Sequence, residues 1–289
     1  MKAATRLNLQ ASIVSVGILL LLLAIWHVAT LQVGSAAATG LTAEQIEYQK
    51  MLGKDPSAGA KQNNGFPTLM QMGKTVIANL AHPFYDNGPN DKGIGIQLGH
   101  SLLRVGLGFG LAALIAIPLG FVIGMSPLMY RALDPFIQVL KPISPLAWMP
   151  LALYTIKDSS ISGIFVIFIC SVWPMLLNTA FGVAGVRREW LNVAKTLEVT
   201  PMRKAFEVIL PAAAPTIVTG MRISMGIAWL VIVAAEMLVG GTGIGYFVWN
   251  EWNNLSLTNV IFAILVIGIV GMALDLMFAR LQKAISYVD

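Results

Sequence analysis

Between Ile96 and Met125 the sequence carries a single charged side chain, Arg104. A stretch that apolar crosses a bilayer as a helix, for which about 20 mostly apolar residues suffice. Lipid offers no hydrogen-bond partners, so each backbone amide must be satisfied within its own segment. Five more stretches pass the same test: Ala11–Leu31, Leu133–Ile156, Ile161–Gly185, Ala212–Val239 and Thr258–Leu281. The expected fold is an all-α membrane protein with six transmembrane helices. Composition agrees: 56% of the 289 residues are hydrophobic and 11% charged, against roughly 25% charge in soluble domains. Spans and short loops leave no room for a soluble catalytic domain.

The first stretch has a rival reading. Lys2 and Arg6, an apolar run and then "GSAAATG" resemble a signal peptide with its cleavage site. The run is long for that purpose, and we read residues 1–31 as the first membrane helix.

Positive charge orients the spans, because Lys and Arg gather at cytoplasmic helix ends. With the N-terminus inside, Lys2, Arg6, Arg131, Arg187, Arg188, Lys195, Arg203, Lys204, Arg280 and Lys283 are cytoplasmic. Lys50, Lys54, Lys61, Lys74, Lys92 and Lys157 are outside. Both termini are then cytoplasmic. The basic balance of +5 reflects this rule and not nucleic-acid binding.

Residues 32–95 form an external insert. Thr42–Gln45 matches a capping box and Gly53 can stop the helix that it starts. Pro67 suits a first helical position, with Leu69, Met70, Met72, Val76, Ile77 and Leu80 following at helical spacing. "YDNGPNDKG" reads as turns. Residues 96–283 form a five-helix core, and 284–289 a short tail.

The polar exception is "REWLNVAKTLEVTPMRKAFEVILP", Arg188–Pro211. Trp190, Val193, Ala194 and Leu197 fall at i, i+3, i+4 and i+7, as do Met202, Ala205, Phe206 and Ile209. Thr200 can cap and Pro201 can start a second helix, which Pro211 ends. The block at 187–211 is two short amphipathic helices. One reading is a plain interfacial link; the other is a dock for a cytoplasmic partner.

The block resembles the "EAA" loop of permease subunits of ATP-binding-cassette importers, E-A-A, three residues, G, nine residues, I-x-L-P. Asn192, Val193 and Ala194 stand at E-A-A, Glu198 at the glycine, and Val208, Leu210 and Pro211 at I-x-L-P. Asn192, Val193 and Glu198 depart from the pattern. "SLLRVGLGFGLAALIAIPLGFVIGM", "PFIQVLKPISPLAWMPLALY" and "ILPAAAPTIVTGMRISMGIAWLVIVAAEMLVGGTGIGY" look like the sulfonate/taurine/nitrate branch of these permeases. "HPFYDNGPNDKGIGIQL" and the long insert look more narrowly like cyanobacterial nitrate/nitrite permeases, with bicarbonate permeases as close sisters.

The resemblance implies a type I importer architecture in the inner membrane, built on a homodimer of permease copies. It implies two ATPase subunits that bind ATP and Mg and dock on Asn192, Val193, Ala194, Leu197, Glu198 and Val199. An external substrate-binding lipoprotein would deliver the solute. The permease itself would carry no cofactor and no metal.

Charges inside spans are costly and point to function. Lys141 falls in the third span without an obvious acidic mate, and either serves the pathway or snorkels toward the cytoplasmic interface. Arg222 falls at similar depth in the fifth span and Asp275 in the sixth, so that pair can simply hold two helices. Arg104 lies near the outer face of the second. For an anion, Lys141 and Arg222 can supply compensating charge in a low-dielectric wall. Trp148 follows Lys141 by seven residues, on the same helical face, and suits a gate or constriction, with core packing as the plainer reading. Pro142, Pro145 and Pro150 bend that span or line a cavity.

Other motifs carry less. "GGTGIG" at Gly240–Gly245 follows a membrane helix and reads as an external turn; Glu236 just before it can contact a binding protein or pin that turn. His27, His82 and His100 lack metal-ligand spacing. Cys170 is a small apolar filler. An intramembrane enzyme would need clustered acids, bases or metal ligands, and a passive channel would need no ATPase dock.

Overall fold

The computed structural model describes residues 2–36, 66–88 and 90–285. The chain divides into two units, one of residues 1–81 and 254–262, the other of 82–253 and 263–289. The capping box at Thr42–Gln45 and the stop at Gly53 lie outside the described residues.

In the smaller unit, α1 (Lys2–Ala36) lies against α2 (Leu69–Ala81), and Asn79 of α2 donates its side-chain N–H to Asn259 Oδ1, at 3.1 Å, in the first turn of a long helix, α11 (Leu257–Ile285). Along α1, Ile13, Leu20 and Ile25 are all exposed, as a lipid-facing span requires. Trp26 anchors it: its indole N–H donates to Pro67 O at 2.9 Å, and its ring meets Phe66 edge-on. Pro67 does not open α2. Thr68 does, through a reciprocal box in which its N–H donates to Gln71 Oε1 at 2.9 Å. Gln71 N–H donates back to Thr68 Oγ1 at 3.3 Å. A side-chain oxygen at the cap satisfies amides that a proline cannot.

The larger unit opens with the expected turn. Lys92 Nζ pairs with Asp86 at 2.9 Å, and that bond holds the Asp86 carboxyl below the usual carboxylate range. Then α3 (Ile94–Met125), α6 (Ser159–Ala184) and α9 (Leu210–Val239) form the core. Small residues let the backbones approach closely, as in other membrane bundles. A Cβ at Gly120 would strike Leu176 O and Thr179, and one at Gly220 would strike Asn178. Ser224 Oγ donates to Ser171 O at 2.7 Å.

The pairings set the directions. Arg104 meets Ser160 and Gly120 meets Leu176, so α3 and α6 run parallel. Gly182 meets Thr216 and Gly220 meets Asn178, so α9 runs antiparallel to α6. Two parallel spans joined by residues 126–158 require that the connection itself return across the bundle.

It does so as a bent pair, which corrects the expectation of one continuous third span. α4 (Pro127–Leu140) and α5 (Pro145–Ile156) meet at 89°. The cause is local. Pro142 lacks an N–H to continue α4, and Pro145 forces Ser144 into an extended conformation, φ −58° and ψ 135°. Among the described residues five helices are long and apolar enough to span, or six with the bent pair counted as one.

A second correction concerns the polar block. α7 (Arg188–Thr196) ends as expected, but the next helix does not stop at Pro211. α8 (Pro201–Lys204) runs through a π-turn, Ala205–Ile209, directly into α9. The wider turn makes room for the Pro211 ring and its missing donor. The last helices are α10 (Ile244–Asn253) and α11.

Candidate translocation pathway and coupling surface

Lys141 caps the C-terminus of α4 and Trp148 lies one turn into α5. The 89° bend removes the helical-face argument for pairing them. They nevertheless line one cavity of about 260 Å³, together with Ser144, Cys170, Trp173 and Ile227. The turn brings them together, not helical periodicity.

Arg222 stands elsewhere. Its guanidinium forks onto Asp275, Nε to Oδ1 at 2.6 Å and Nη2 to Oδ2 at 2.6 Å. The pair ties α9 to α11 and borders a separate cavity of about 420 Å³ with Trp229 and Gly271. Trp229 closes that seam by donating its indole N–H to Ile267 O at 3.0 Å.

Arg104 belongs to a third place, a polar knot at the Gly240 end of the core. Its Nη1 donates to Glu236 Oε1 at 2.8 Å and to Thr242 O at 2.7 Å, and its Nε to Ser160 Oγ at 2.9 Å. Glu236 is only 4% exposed. Ser101 Oγ lies 2.9 and 2.8 Å from its two carboxylate oxygens. The first amides of α10 have no partners of their own and are met from other helices. Gly243 N–H donates to Gln97 Oε1 at 2.6 Å, Ile244 N–H to Ser101 Oγ at 2.9 Å and Gly245 N–H to Glu236 Oε2 at 3.0 Å. Gly240 and Gly241, both at positive φ, let the chain turn tightly enough to present them. Glu236 therefore pins the turn. Gln97 and Ser101 escaped the sequence reading. Their signal was spacing: residues 97, 101 and 104 line one face of an otherwise apolar helix.

The polar block divides its two apolar faces. Ala194, Ala205 and Ile209 are buried, and Ile209 joins Val183, Val186, Ala213 and Ile217 in a small core. Val193, Leu197, Met202 and Phe206 stay exposed; Leu197 and Met202 are each 70% accessible. Arg187 lies over the Trp190 ring at 5.6 Å. Asn192 and Glu198 are exposed and Val199 half-buried. α7 ends in a Schellman motif: Val199 N–H reaches Ala194 O at 3.0 Å and Glu198 N–H reaches Lys195 O at 3.1 Å. Glu198 occupies the left-handed position of that motif, φ 51°, where glycine is the usual residue.

A span-to-span block that leaves large apolar side chains unburied suits a permease driven from outside the membrane domain. Residues 116–287 match the family described as the binding-protein-dependent transport system inner membrane component. The chain belongs to this family of importer permeases. It is 44% identical over 224 residues to the nitrate import permease protein NrtB of Synechocystis sp., covering 78% of this chain and 82% of that one. It is 44% identical over 208 residues to the bicarbonate transport system permease protein CmpB of the same organism, covering 72% and 74%. The fold resembles a chain of the inward-facing MetNI methionine ABC transporter, with TM-score 0.59, 15% identity and coverage of 65% and 94%. The permease is thus a multi-pass inner membrane subunit of an ATP-binding-cassette importer. ATP hydrolysis belongs to separate ATPase subunits.

Proposed function

We propose that this permease imports a small inorganic anion, nitrate or nitrite. The observation that carries the reading is its 44% identity, over 78% of the chain, with a nitrate import permease. Cations placed among apolar helices support it, since an anion crossing a low-dielectric wall needs compensating charge. Lys141 with Trp148 is the leading pathway pair. Arg222 and Arg104 are each neutralised by a carboxylate, Asp275 and Glu236, and would join the pathway only if those pairs opened.

Two copies of the chain form the pathway. Two ATPase subunits, carrying ATP and Mg, take the surface of Asn192, Val193, Ala194, Leu197, Glu198 and Val199. An external binding lipoprotein supplies the anion. Both termini and the block at 187–211 face the cytoplasm, where Lys and Arg are favoured, and residues 32–95 face outward.

Bicarbonate is the second reading, because the 44% identity to a bicarbonate permease does not separate the two anions. Isotope uptake decides. Cells lacking this gene should lose labelled nitrate import and regain it with the gene restored. Loss of bicarbonate import alone would transfer the assignment to the second reading.

A further inference from the structure

A cavity of about 610 Å³ opens between the last turns of α3 and α6 and the start of α4. Arg131 and Lys141 line it, with Tyr130 and Asn178 as further polar groups and Leu177 and Phe181 as apolar wall. No Asp or Glu is among its lining residues. Neither cation has an ion-pair partner among the described residues. The neighbouring acid on α4, Asp134, is engaged instead by Gln138 Nε2 at 2.6 Å. Other charged groups of the core are paired: Arg222 with Asp275, and Arg104 with Glu236. Lys141 also lines the cavity of Trp148 and Trp173, so it stands at the join of two chambers.

We propose that the Arg131–Lys141 cavity is an oxyanion-binding chamber, and that the transported anion passes into it from the Trp148 cavity by way of Lys141. The inference rests on the anion-import reading above. A guanidinium offers a planar fork that matches two oxygens, and an ammonium offers a mobile point charge. Like charges facing one cleft with low-dielectric walls raise the local concentration of counter-ions. The chamber is roomy for a partly hydrated anion, and the absence of carboxylates from its lining removes competitors for the two cations. A phospholipid phosphate has the same chemistry and is the alternative source of an occupant.

The test uses the assembled transporter in phosphatidylcholine nanodiscs. Leu177→Cys, in a Cys170→Ala background, places a thiol in the chamber wall. Its rate with a sulfonate-bearing methanethiosulfonate is compared with its rate with an uncharged one. Combined Arg131→Gln and Lys141→Gln should lower that ratio at least about tenfold. Nitrate should slow the anionic reagent, and each single variant should slow nitrate uptake while ATPase subunits still co-purify. Arg131→Lys should keep most of the ratio, which guards against a folding artefact. An unchanged ratio, or full uptake in the double variant, overturns the proposal. Protection by added phosphatidylglycerol but not by nitrate makes the cavity a lipid seat and also overturns it. A charge-dependent ratio with nitrate protection, in a complex that imports neither nitrate nor bicarbonate, keeps the chamber and removes the import reading instead.

Discussion

Arg222 and Asp275 meet as fork to fork, two hydrogen bonds of 2.6 Å joining α9 to α11. A bidentate pair fixes orientation as well as distance. Its partners sit 53 residues apart in sequence, so the pair sets how the last span lies along the fifth. Arg222→Ala should lower the melting temperature of the purified complex, because a carboxylate is stranded among apolar helices. Adding Asp275→Asn should restore at least half of the loss. A double variant no more stable than Arg222→Ala would remove the pair from the stability account and return Arg222 to the pathway.

The polar knot predicts a larger effect. Glu236 is buried, and Arg104 is its only charged partner among the described residues. Arg104→Ala should cost about 3–5 kcal/mol, the usual price of breaking a buried pair. Arg104→Lys should recover little, since one ammonium cannot reach Ser160, Glu236 and Thr242 together. Thermal unfolding of the three proteins in one detergent checks this. Near-equal stabilities would sink it.

Coupling is tested at Leu197. Leu197→Asp puts a charge in the middle of an exposed apolar patch, and burying an unpartnered charge in a joint costs several kcal/mol. The ATPase subunits should detach, or transport-linked hydrolysis should stop, while the permease alone melts normally. Intact assembly with normal uptake would refute the docking surface.

Glu198 gives an independent measurement. A non-glycine residue at left-handed φ is strained by roughly 1–2 kcal/mol. Glu198→Gly should raise the stability of the isolated permease by about 1 kcal/mol, and Glu198→Ala should give no such gain. Equal melting temperatures for Gly and Ala variants would show that the strain is absorbed elsewhere.

Sidedness can be read within the larger unit. Cysteines at Lys92 and Lys195, in a Cys170→Ala background, should react with an impermeant reagent from opposite faces. Reaction of both from one face would contradict the parallel course of α3 and α6.

These residues also show what the sequence could and could not disclose. The ends of the second and fourth spans fell within about two residues because hydropathy counts what lipid demands. The bend at Lys141 did not, because a hydropathy window cannot see that Pro142 and Pro145 together exclude a helical peptide at Ser144. Pro211 misled for a related reason: it signals a stop unless a π-turn precedes it, and π-turns leave no compositional mark. The Arg222–Asp275 pair was legible from matched depth. The Arg104 knot was not, since its acceptors include the Thr242 carbonyl and the Ser160 hydroxyl, which carry no charge. Glu198 read as a departure from a motif; the structure identifies that position as the left-handed residue of the α7 cap.

The two ends of the α3–α6–α9 core are held by different kinds of force. At the Gly240 end, directional bonds from Arg104, Gln97, Ser101 and Glu236 resist both sliding and rotation. At the other end, Val183, Val186, Ile209, Ala213 and Ile217 touch only through apolar packing, which tolerates small shifts with little angular penalty. If the load enters through Leu197 and α8, as proposed, it would meet a frame held by directional bonds at its far end and by non-directional packing at its near one. Such a frame would give first at its apolar end, beside the basic chamber, and last at the turn that presents α10.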